Sequence, residues 1–113
     1  MSAITTHVLD ISRGRPASGV AISLERETGD GWQQIGKGAT DADGRAIDLM
    51  TADSVLSEGV YRLTFETGPY FAAQKIETFY REVVIAFTVS DSAQHYHVPL
   101  LLSPFGYSTY RGS

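Results

Sequence analysis

Apolar and polar side chains alternate along most of this chain with a period of two residues, which is the pattern of half-buried β-strands. Residues 19–27 show it most clearly, with Val20, Ile22 and Leu24 on one face. The other runs with strand character are residues 4–11, 32–39, 59–67, 82–89 and 95–102. Together with the turn signals between them, these runs predict about seven or eight short strands.

Glycine and proline mark the connections between these runs. Residues 12–16 end the first run, and residues 28–31 join two neighbouring runs as a hairpin. One short helix is predicted over residues 69–75, because Pro69 is tolerated in a first helical turn, where its missing N–H has no partner anyway. The predicted fold is therefore all-β: a two-sheet antiparallel β-sandwich with one short helix, with a closed barrel as the alternative.

The run over residues 82–89 differs from the others because it is apolar on both faces. Val83 and Ile85 share one face, and Val84 lies on the other. The outer face of a small antiparallel sandwich is ordinarily in contact with water. We therefore predict that the second face of this strand meets another subunit.

The strand periodicity predicts the direction of two of the three histidine side chains. In the strand predicted over residues 95–102, His95 and His97 share one face. The opposite face carries the large apolar side chains, namely Tyr96, Val98, Leu100 and Leu102. Because the apolar set predicts the core face, both imidazoles are expected on the outer face. His7 belongs to the first run, where apolar residues occur on both faces, so its direction stays open.

Two patterns invite a metal interpretation. Residues 41–44 (DADG) resemble the start of a calcium loop, but an EF-hand needs a bidentate Glu at its twelfth position, and residue 52 is not Glu. The simpler interpretation is a turn that leaves the following arginine in solvent. His7, His95 and His97 could share a zinc ion, but no cysteine or clear carboxylate accompanies them. We therefore predict no metal site.

Length, charge and cysteine content limit the number of domains and the partners that the protein can have. The 113 residues suit a single domain over 1–113. A net charge of -4 and nine scattered Lys and Arg residues predict no nucleic-acid partner. The absence of cysteine excludes disulfides, and no apolar run approaches the roughly 20 residues of a membrane helix. A soluble, cytoplasmic protein without a membrane partner is expected.

The segment from His95 to Ser113 reads HYHVPLLLSPFGYSTYRGS and carries polar groups to the end of the chain. It resembles the transthyretin-related 5-hydroxyisourate hydrolases of purine catabolism. The other segments that carry the resemblance are ITTHVLDISRGRPA, TDADGR, GVYRLTFETGPYFA and FYREVVIAF. The match runs in order from about Thr5 to Ser113. Its most specific part is the terminal YRGS, which vertebrate transthyretin, a hormone carrier of the same fold, lacks.

The resemblance implies a transthyretin-like sandwich that assembles as a homotetramer, with sites in the channel between dimers. It implies hydrolysis of 5-hydroxyisourate to 2-oxo-4-hydroxy-4-carboxy-5-ureidoimidazoline without a cofactor. The site residues it implies are His7, Arg45, His97, Tyr110, Arg111, Gly112 and Ser113. His95 is not among them, and we expect it to be structural.

These residue types suit the opening of an electron-poor ring by water. Imidazole has an ordinary pKa of about 6.5, so His7 and His97 can take and give protons near neutrality. Arg45 offers charged donors to a developing oxyanion. Tyr110 can contact the planar ring system, and Ser113 offers its hydroxyl and the terminal carboxylate. Because no serine lies in a GxSxG elbow, we predict direct attack by water rather than an acyl-enzyme.

Two other functions compete with this hypothesis. A carrier of the transthyretin type would use the same sandwich to bind a small molecule without turning it over, since a fold does not fix a function. A carrier for apolar ligands, however, would favour an apolar channel. An adhesion or interaction module would need neither His7 nor His97, so both could be replaced without consequence.

Overall fold

The structure is a computed structural model, and it describes residues 2–50 and 55–113. Its strands are β1 (Ile4–Asp10), β2 (Arg15–Pro16), β3 (Ala21–Thr28), β4 (Gly31–Ala39), β5 (Arg45–Ala46), β6 (Gly59–Phe65), β7 (Val83–Val89), β8 (Tyr96–Ser103) and β9 (Gly106–Thr109). Its helix is α1 (Thr67–Ala72), between β6 and β7. Two of these strands, β2 and β5, have only two residues each.

The strands form two sheets that enclose one apolar core. The first sheet has the order β2, β1, β8, β9, with β5 also paired to β1, and the second has the order β4, β3, β6, β7. Residues from both sheets are fully buried between them, among them Val8, Leu24, Leu63 and Leu100. The two-sheet sandwich is confirmed. The barrel alternative is wrong, because no strand pairing joins the two sheets within the described residues.

The period-two pattern predicted the core faces correctly. Ile22 and Leu24 of β3 are buried, as are Leu63 and Phe65 of β6. In β8, the large apolar side chains are buried on one face, and the strand begins at Tyr96. The prediction that strand 95–102 starts one residue earlier is therefore wrong, and His95 lies just before the strand.

One pairing departs from the prediction of antiparallel sheets. Strands β1 and β8 run parallel, with Thr5 beside His97 and His7 beside Pro99. Every other strand pair in residues 2–50 and 55–113 is antiparallel. Periodicity within a strand specifies which face is buried but not the direction of its neighbour. The parallel pair brings the two ends of the sequence together in the middle of one sheet.

The helix is shorter and lies earlier than predicted. It covers Thr67–Ala72 rather than residues 69–75. Pro69 is therefore the third helical residue, which is still inside the first turn, where N–H groups have no partner in the helix. The buried Phe71 anchors the helix to the core, and Lys75, with φ 61, adopts the left-handed conformation that stops further helix.

Strand β7 is an edge strand of the second sheet. Val83 and Val89 at its ends are buried, whereas Val84 on the opposite face is 44% exposed. Ile85 and Phe87 are partly buried and pack against the core. The strand is thus apolar on an outer face as well as an inner one. That this outer face meets another subunit stays a prediction.

Candidate active site

The outer face of the first sheet carries three of the predicted site residues side by side. His7 of β1 is paired with Arg45 of β5, and Thr5 of β1 is paired with His97 of β8. Paired residues on adjacent strands point to the same face of a sheet. Both imidazoles are half-buried and Arg45 is exposed, so the direction of His7, which the sequence left open, is outward.

His7 is held by a backbone carbonyl. Its Nε2 lies 2.8 Å from the carbonyl oxygen of Asp43. A carbonyl oxygen can only accept a hydrogen bond, so Nε2 carries the proton in this contact. The neutral imidazole of His7 is therefore fixed in one tautomer, and Nδ1 is the nitrogen that can accept a further proton.

The turn over residues 41–45 supports both His7 and Arg45. The Asp41 carboxylate accepts hydrogen bonds from the backbone N–H groups of Asp43 and Arg45, at 2.9 and 3.0 Å. The hydrogen bond from the N–H of Arg45 is the main cause that lowers the pKa of Asp41. Gly44 has φ 77, and a Cβ there would lie 2.4 Å from the carbonyl oxygen of Val8. The expectation that this turn leaves its arginine simply solvated is incomplete, because the turn places Arg45 beside His7.

His97 is held by a hydroxyl group. Its Nδ1 lies 2.8 Å from Oγ1 of Thr5, a residue that is only 2% exposed. Burial lowers the pKa of His97, and positive charge on His95, His7 and Arg45 acts in the same direction. Since the ordinary value is 6.5, His97 is neutral at pH 7 and its Nε2 is the nitrogen left for a reacting molecule.

The same hydroxyl also contacts His95. Nε2 of His95 lies 3.1 Å from Oγ1 of Thr5, and the two imidazole rings are nearly parallel, with centroids 6.5 Å apart. Thr5 is not among the site residues predicted from the sequence. No signal in the sequence could have found it, because its place beside His97 depends on the parallel pairing of strands from opposite ends of the chain.

The carboxyl-terminal tail lies along β8 beside His97. The N–H of Gly112 donates to the carbonyl oxygen of His97 at 2.9 Å. The Arg111 guanidinium lies over the ring of Tyr96, 4.5 Å from its centroid, and donates to Oε1 of Gln94 at 2.7 Å. These contacts hold the tail in one position, although its side chains are largely exposed.

Gly112 packs directly against the imidazole of His97. A Cβ at this position would lie 2.7 Å from Cδ2 of His97 and 3.2 Å from Cγ of Pro99. Real Cβ contacts are longer than the first of these distances, so any larger residue would displace the ring or the tail. Tyr110 is 59% exposed and Ser113 is exposed, so both can be reached by a small molecule.

A cleft of about 260 Å³ opens next to His97. Its lining residues are Ile85, Phe87, Thr88, Tyr96, His97, Val98, Thr109, Tyr110 and Arg111. A larger groove of about 560 Å³ lies between residues 13–21 and α1 and contains no histidine. His7 and Arg45 line neither cavity, so the placement of His7, Arg45 and His97 on one sheet face, rather than a cavity, identifies the candidate active site.

Neither a metal cluster nor a spanning helix is found in the described residues. In residues 2–50 and 55–113, no three His, Cys, Asp or Glu side chains are grouped so that they could hold a metal ion. Residue 52, on which the calcium interpretation depended, lies outside the described residues. The one described helix is too short to cross a membrane.

Comparisons with known proteins find relatives along nearly the whole chain. The model of the HIUase/transthyretin family matches residues 4–112. The 5-hydroxyisourate hydrolase of Caulobacter vibrioides is 48% identical over the whole of both chains. The structure of Klebsiella pneumoniae 5-hydroxyisourate hydrolase has 41% identity and a TM-score of 0.84, covering 97% of this chain and 92% of that one.

A transthyretin is also similar in structure. Sea bream transthyretin in complex with thyroxine has 35% identity and a TM-score of 0.91, covering 98% of this chain and 95% of that chain. The backbone alone thus resembles a transthyretin at least as closely as a 5-hydroxyisourate hydrolase, so the sequence relatives must separate the two. On the matched residues and these identities, the chain belongs to the HIUase/transthyretin family.

Proposed function

We propose that this chain hydrolyses 5-hydroxyisourate to 2-oxo-4-hydroxy-4-carboxy-5-ureidoimidazoline in the degradation of urate. The relatives of high identity bear the name of this activity. The observation that carries the proposal is the side-by-side placement of Arg45, His7 and His97 on one sheet face. A non-catalytic carrier is the weaker candidate, because a polar face of this kind is costly for binding an apolar ligand.

In the proposed reaction, water attacks a ring carbonyl carbon and the ring C–N bond breaks. His7, fixed with its proton on Nε2, takes the proton of the attacking water at Nδ1. His97 gives a proton from Nε2 to the departing ring nitrogen. Positioned proton transfers of this kind are typically worth roughly 10²–10⁴ in rate.

Arg45 and the tail complete the proposed site. The guanidinium of Arg45 stabilises negative charge on the carbonyl oxygen during attack, an effect that often supplies a few kcal/mol. Tyr110 contacts the planar substrate, and Ser113 offers polar contacts from its hydroxyl and carboxylate. The Arg111 side chain anchors the tail through Tyr96 and Gln94, so its backbone and that of Gly112 line the substrate.

The proposed assembly is a homotetramer with sites between dimers. Support comes from β7 and β9, which are edge strands of the two sheets. Large apolar side chains near them are exposed, among them Phe79, Tyr80, Phe105 and Tyr107. Such a patch favours burial against another subunit. Light scattering after gel filtration should give a tetramer mass. The cytoplasmic location and the single domain stay predictions.

A coupled absorbance assay tests the activity. Urate oxidase generates 5-hydroxyisourate in place, and its decay is followed with the wild type and with His7→Asn and His97→Asn. We expect the wild type to accelerate decay and each variant to lose roughly 10²–10⁴ of that rate. A folded wild type that binds the substrate without accelerating its decay would favour the carrier instead.

Removal of residues 110–113 tests the tail. Because the tail packs on His97 and is exposed, its loss should abolish turnover and leave the sandwich folded, as judged by circular dichroism. Full activity in the truncated protein would remove the tail from the mechanism. Mass-spectrometric trapping of an acyl group on Ser113 would contradict direct attack by water.

A further inference from the structure

We propose that His95, Thr5 and His97 form a proton relay that connects the reacting face of His97 to solvent, and that Thr5 and His95 are positioning residues for His97. The starting observation is that one buried hydroxyl contacts both rings, at 3.1 Å from Nε2 of His95 and 2.8 Å from Nδ1 of His97. The kinetic part of this proposal rests on the proposed function, but the relay itself does not.

The hydroxyl of Thr5 has one proton, and within residues 2–50 and 55–113 its oxygen contacts only these two rings. When that proton is used in one of the two bonds, the tautomers of the two rings depend on each other. When Thr5 donates to Nδ1 of His97, its oxygen accepts from Nε2–H of His95, and His97 carries its own proton on Nε2. When Thr5 donates to Nε2 of His95, its oxygen accepts from Nδ1–H of His97, and Nε2 of His97 is unprotonated. The tautomer of one imidazole thus sets that of the other.

This coupling explains how a neutral His97 can act as an acid. A neutral imidazole is a poor acid, because loss of its only N–H proton leaves an anion. The burial and positive surroundings that lower the pKa of His97 keep it neutral at pH 7. His97 can give its Nε2 proton to the departing nitrogen only if Nδ1 receives another proton at the same time.

The relay supplies that proton with every bond balanced. The Nε2–H bond of His97 breaks as the N–H bond of the product forms. The O–H bond of Thr5 breaks as Nδ1–H of His97 forms, and Nε2–H of His95 breaks as the Thr5 hydroxyl is restored. His95 is exposed, so its Nδ1 takes the replacement proton from solvent, and both rings end neutral in the other tautomer. After product release, a proton from solvent enters at Nε2 of His97, the same transfers run in reverse, and Nδ1 of His95 returns its proton to solvent.

The charges around the relay favour movement toward the substrate. On β1, His7 lies two residues beyond Thr5, which is paired with His97, and Arg45 of β5 is paired with His7. Burial and positive charge on His95, His7 and Arg45 all lower the affinity of His97 for a proton. Arg111 of the tail is directed away, over Tyr96 and toward Gln94. Of the three residues of the relay, His95 is the exposed one.

Matched variants on one strand test the kinetic part. Thr5→Val removes the relay hydroxyl, and Thr5→Ser keeps one. Thr6→Val is the control, because the neighbouring Thr6 also donates a buried hydroxyl hydrogen bond, but to the carbonyl of Val98 on the other face. Loss of a group that orients a catalytic residue often costs roughly 10–100-fold. We expect that loss in kcat for Thr5→Val at unchanged KM, recovery with Thr5→Ser, and wild-type kcat with Thr6→Val.

His95→Phe keeps a stacked ring at an exposed position and removes the relay nitrogen. We expect a kcat loss similar to that of Thr5→Val, and no further loss in the double variant, since both changes interrupt one path. Wild-type kcat in His95→Phe, or losses that multiply in the double variant, would overturn the relay.

Nitrogen NMR of ¹⁵N-histidine-labelled protein tests the relay without substrate. The chain has three histidines, so the spectrum is simple. In the wild type and in Thr6→Val, protonation of His95 should change the tautomer of His97, and in Thr5→Val it should not. If protonation of His95 left the tautomer of His97 unchanged in the wild type, the relay would be overturned even if the enzyme is active. Coupled tautomers in a protein without hydrolase activity would instead contradict only the proposed function.

Discussion

His7 and His97 lie on neighbouring strands of the same sheet face, but they are held by different chemical groups. The carbonyl of Asp43 contacts Nε2 of His7, whereas the hydroxyl of Thr5 contacts Nδ1 of His97. A carbonyl only accepts, so it fixes one tautomer. A hydroxyl accepts and donates, so it permits two. The partner group, and not the residue type, decides which proton each imidazole can move.

The two histidines also differ in how their surroundings are built. His7 is supported by the tight turn at residues 41–45, in which Asp41 accepts two backbone N–H groups. His97 is supported by Thr5 from the first strand and by Gly112 from the tail. One side of the site therefore depends on a turn, and the other depends on both ends of the chain.

Among changes to the groups that support the two histidines, the largest expected effect comes from Gly112→Ala, which alters the surroundings of His97 alone. The new methyl group would lie 2.7 Å from Cδ2 of His97, so the ring or the tail must move by up to about 1 Å. A displacement of this size in a catalytic group can cost about 10²-fold in kcat. The melting temperature should change little, since the tail is at the edge of the sheet. Circular dichroism and the coupled assay measure both.

Gly29→Ala is the matched control for this change. A Cβ at Gly29 meets nothing within 4 Å, and the residue lies in an exposed turn far from the histidines in sequence. Its kcat should equal that of the wild type. If Gly112→Ala were as active as Gly29→Ala, the tail would not position His97.

A smaller effect follows from the lowered pKa of His97. The unfolded chain takes up a proton near the ordinary value of 6.5, before the folded protein does. His97 therefore decreases the free energy of unfolding as the pH falls from 6.5 through its folded pKa, and it has no such effect above 6.5. Relative to His97→Asn, the wild type should lose stability on acidification.

Urea denaturation of both proteins between about pH 8 and about pH 5, at one protein concentration, measures this difference. The difference in free energy of unfolding between the wild type and His97→Asn should be constant above pH 6.5 and change below it. A gap that stays the same over the whole range would mean that the folded pKa of His97 is not lowered, and that its surroundings do not favour the neutral form.

Much of the fold was predictable from the sequence because burial leaves a local signal. The alternation in β3, β6 and β8 predicted which side chains face the core, and Ile22, Leu63 and Leu100 are buried accordingly. The outward direction of His97 followed from that phase. The helix bounds were wrong by a few residues, since Pro69 is compatible with more than one position in a first turn.

The site was only partly predictable, because its contacts join distant parts of the chain. His7 and Arg45 were expected from the family resemblance, but the bond from His7 to the Asp43 carbonyl depends on how the turn is placed against β1. Thr5 was missed for a similar reason, since its contact with His97 exists only once the two strands pair in parallel. His95 was expected to be structural, and its bond to Thr5 gives it a second proposed role.

The smallest effect concerns the His7 side and tests whether its turn is as important as the tail. Asp41→Ala removes the acceptor of the two N–H groups that shape residues 41–45, so the Asp43 carbonyl should hold His7 less firmly. Other bonds keep the turn, including Gly44 N–H to the carbonyl of Asp41 and Val8 N–H to that of Gly44. We therefore expect only a few-fold loss of kcat and a slight fall in melting temperature. Asp41→Asn keeps an acceptor oxygen and should recover most of both.

Because the pKa of Asp41 is lowered from its ordinary value of 3.8, the contribution of the carboxylate is complete at neutral pH and disappears only as the pH falls below that value. A loss as large as that of Gly112→Ala would show that both histidines depend equally on their supports, and the contrast between a fixed His7 and an adjustable His97 would then need another explanation.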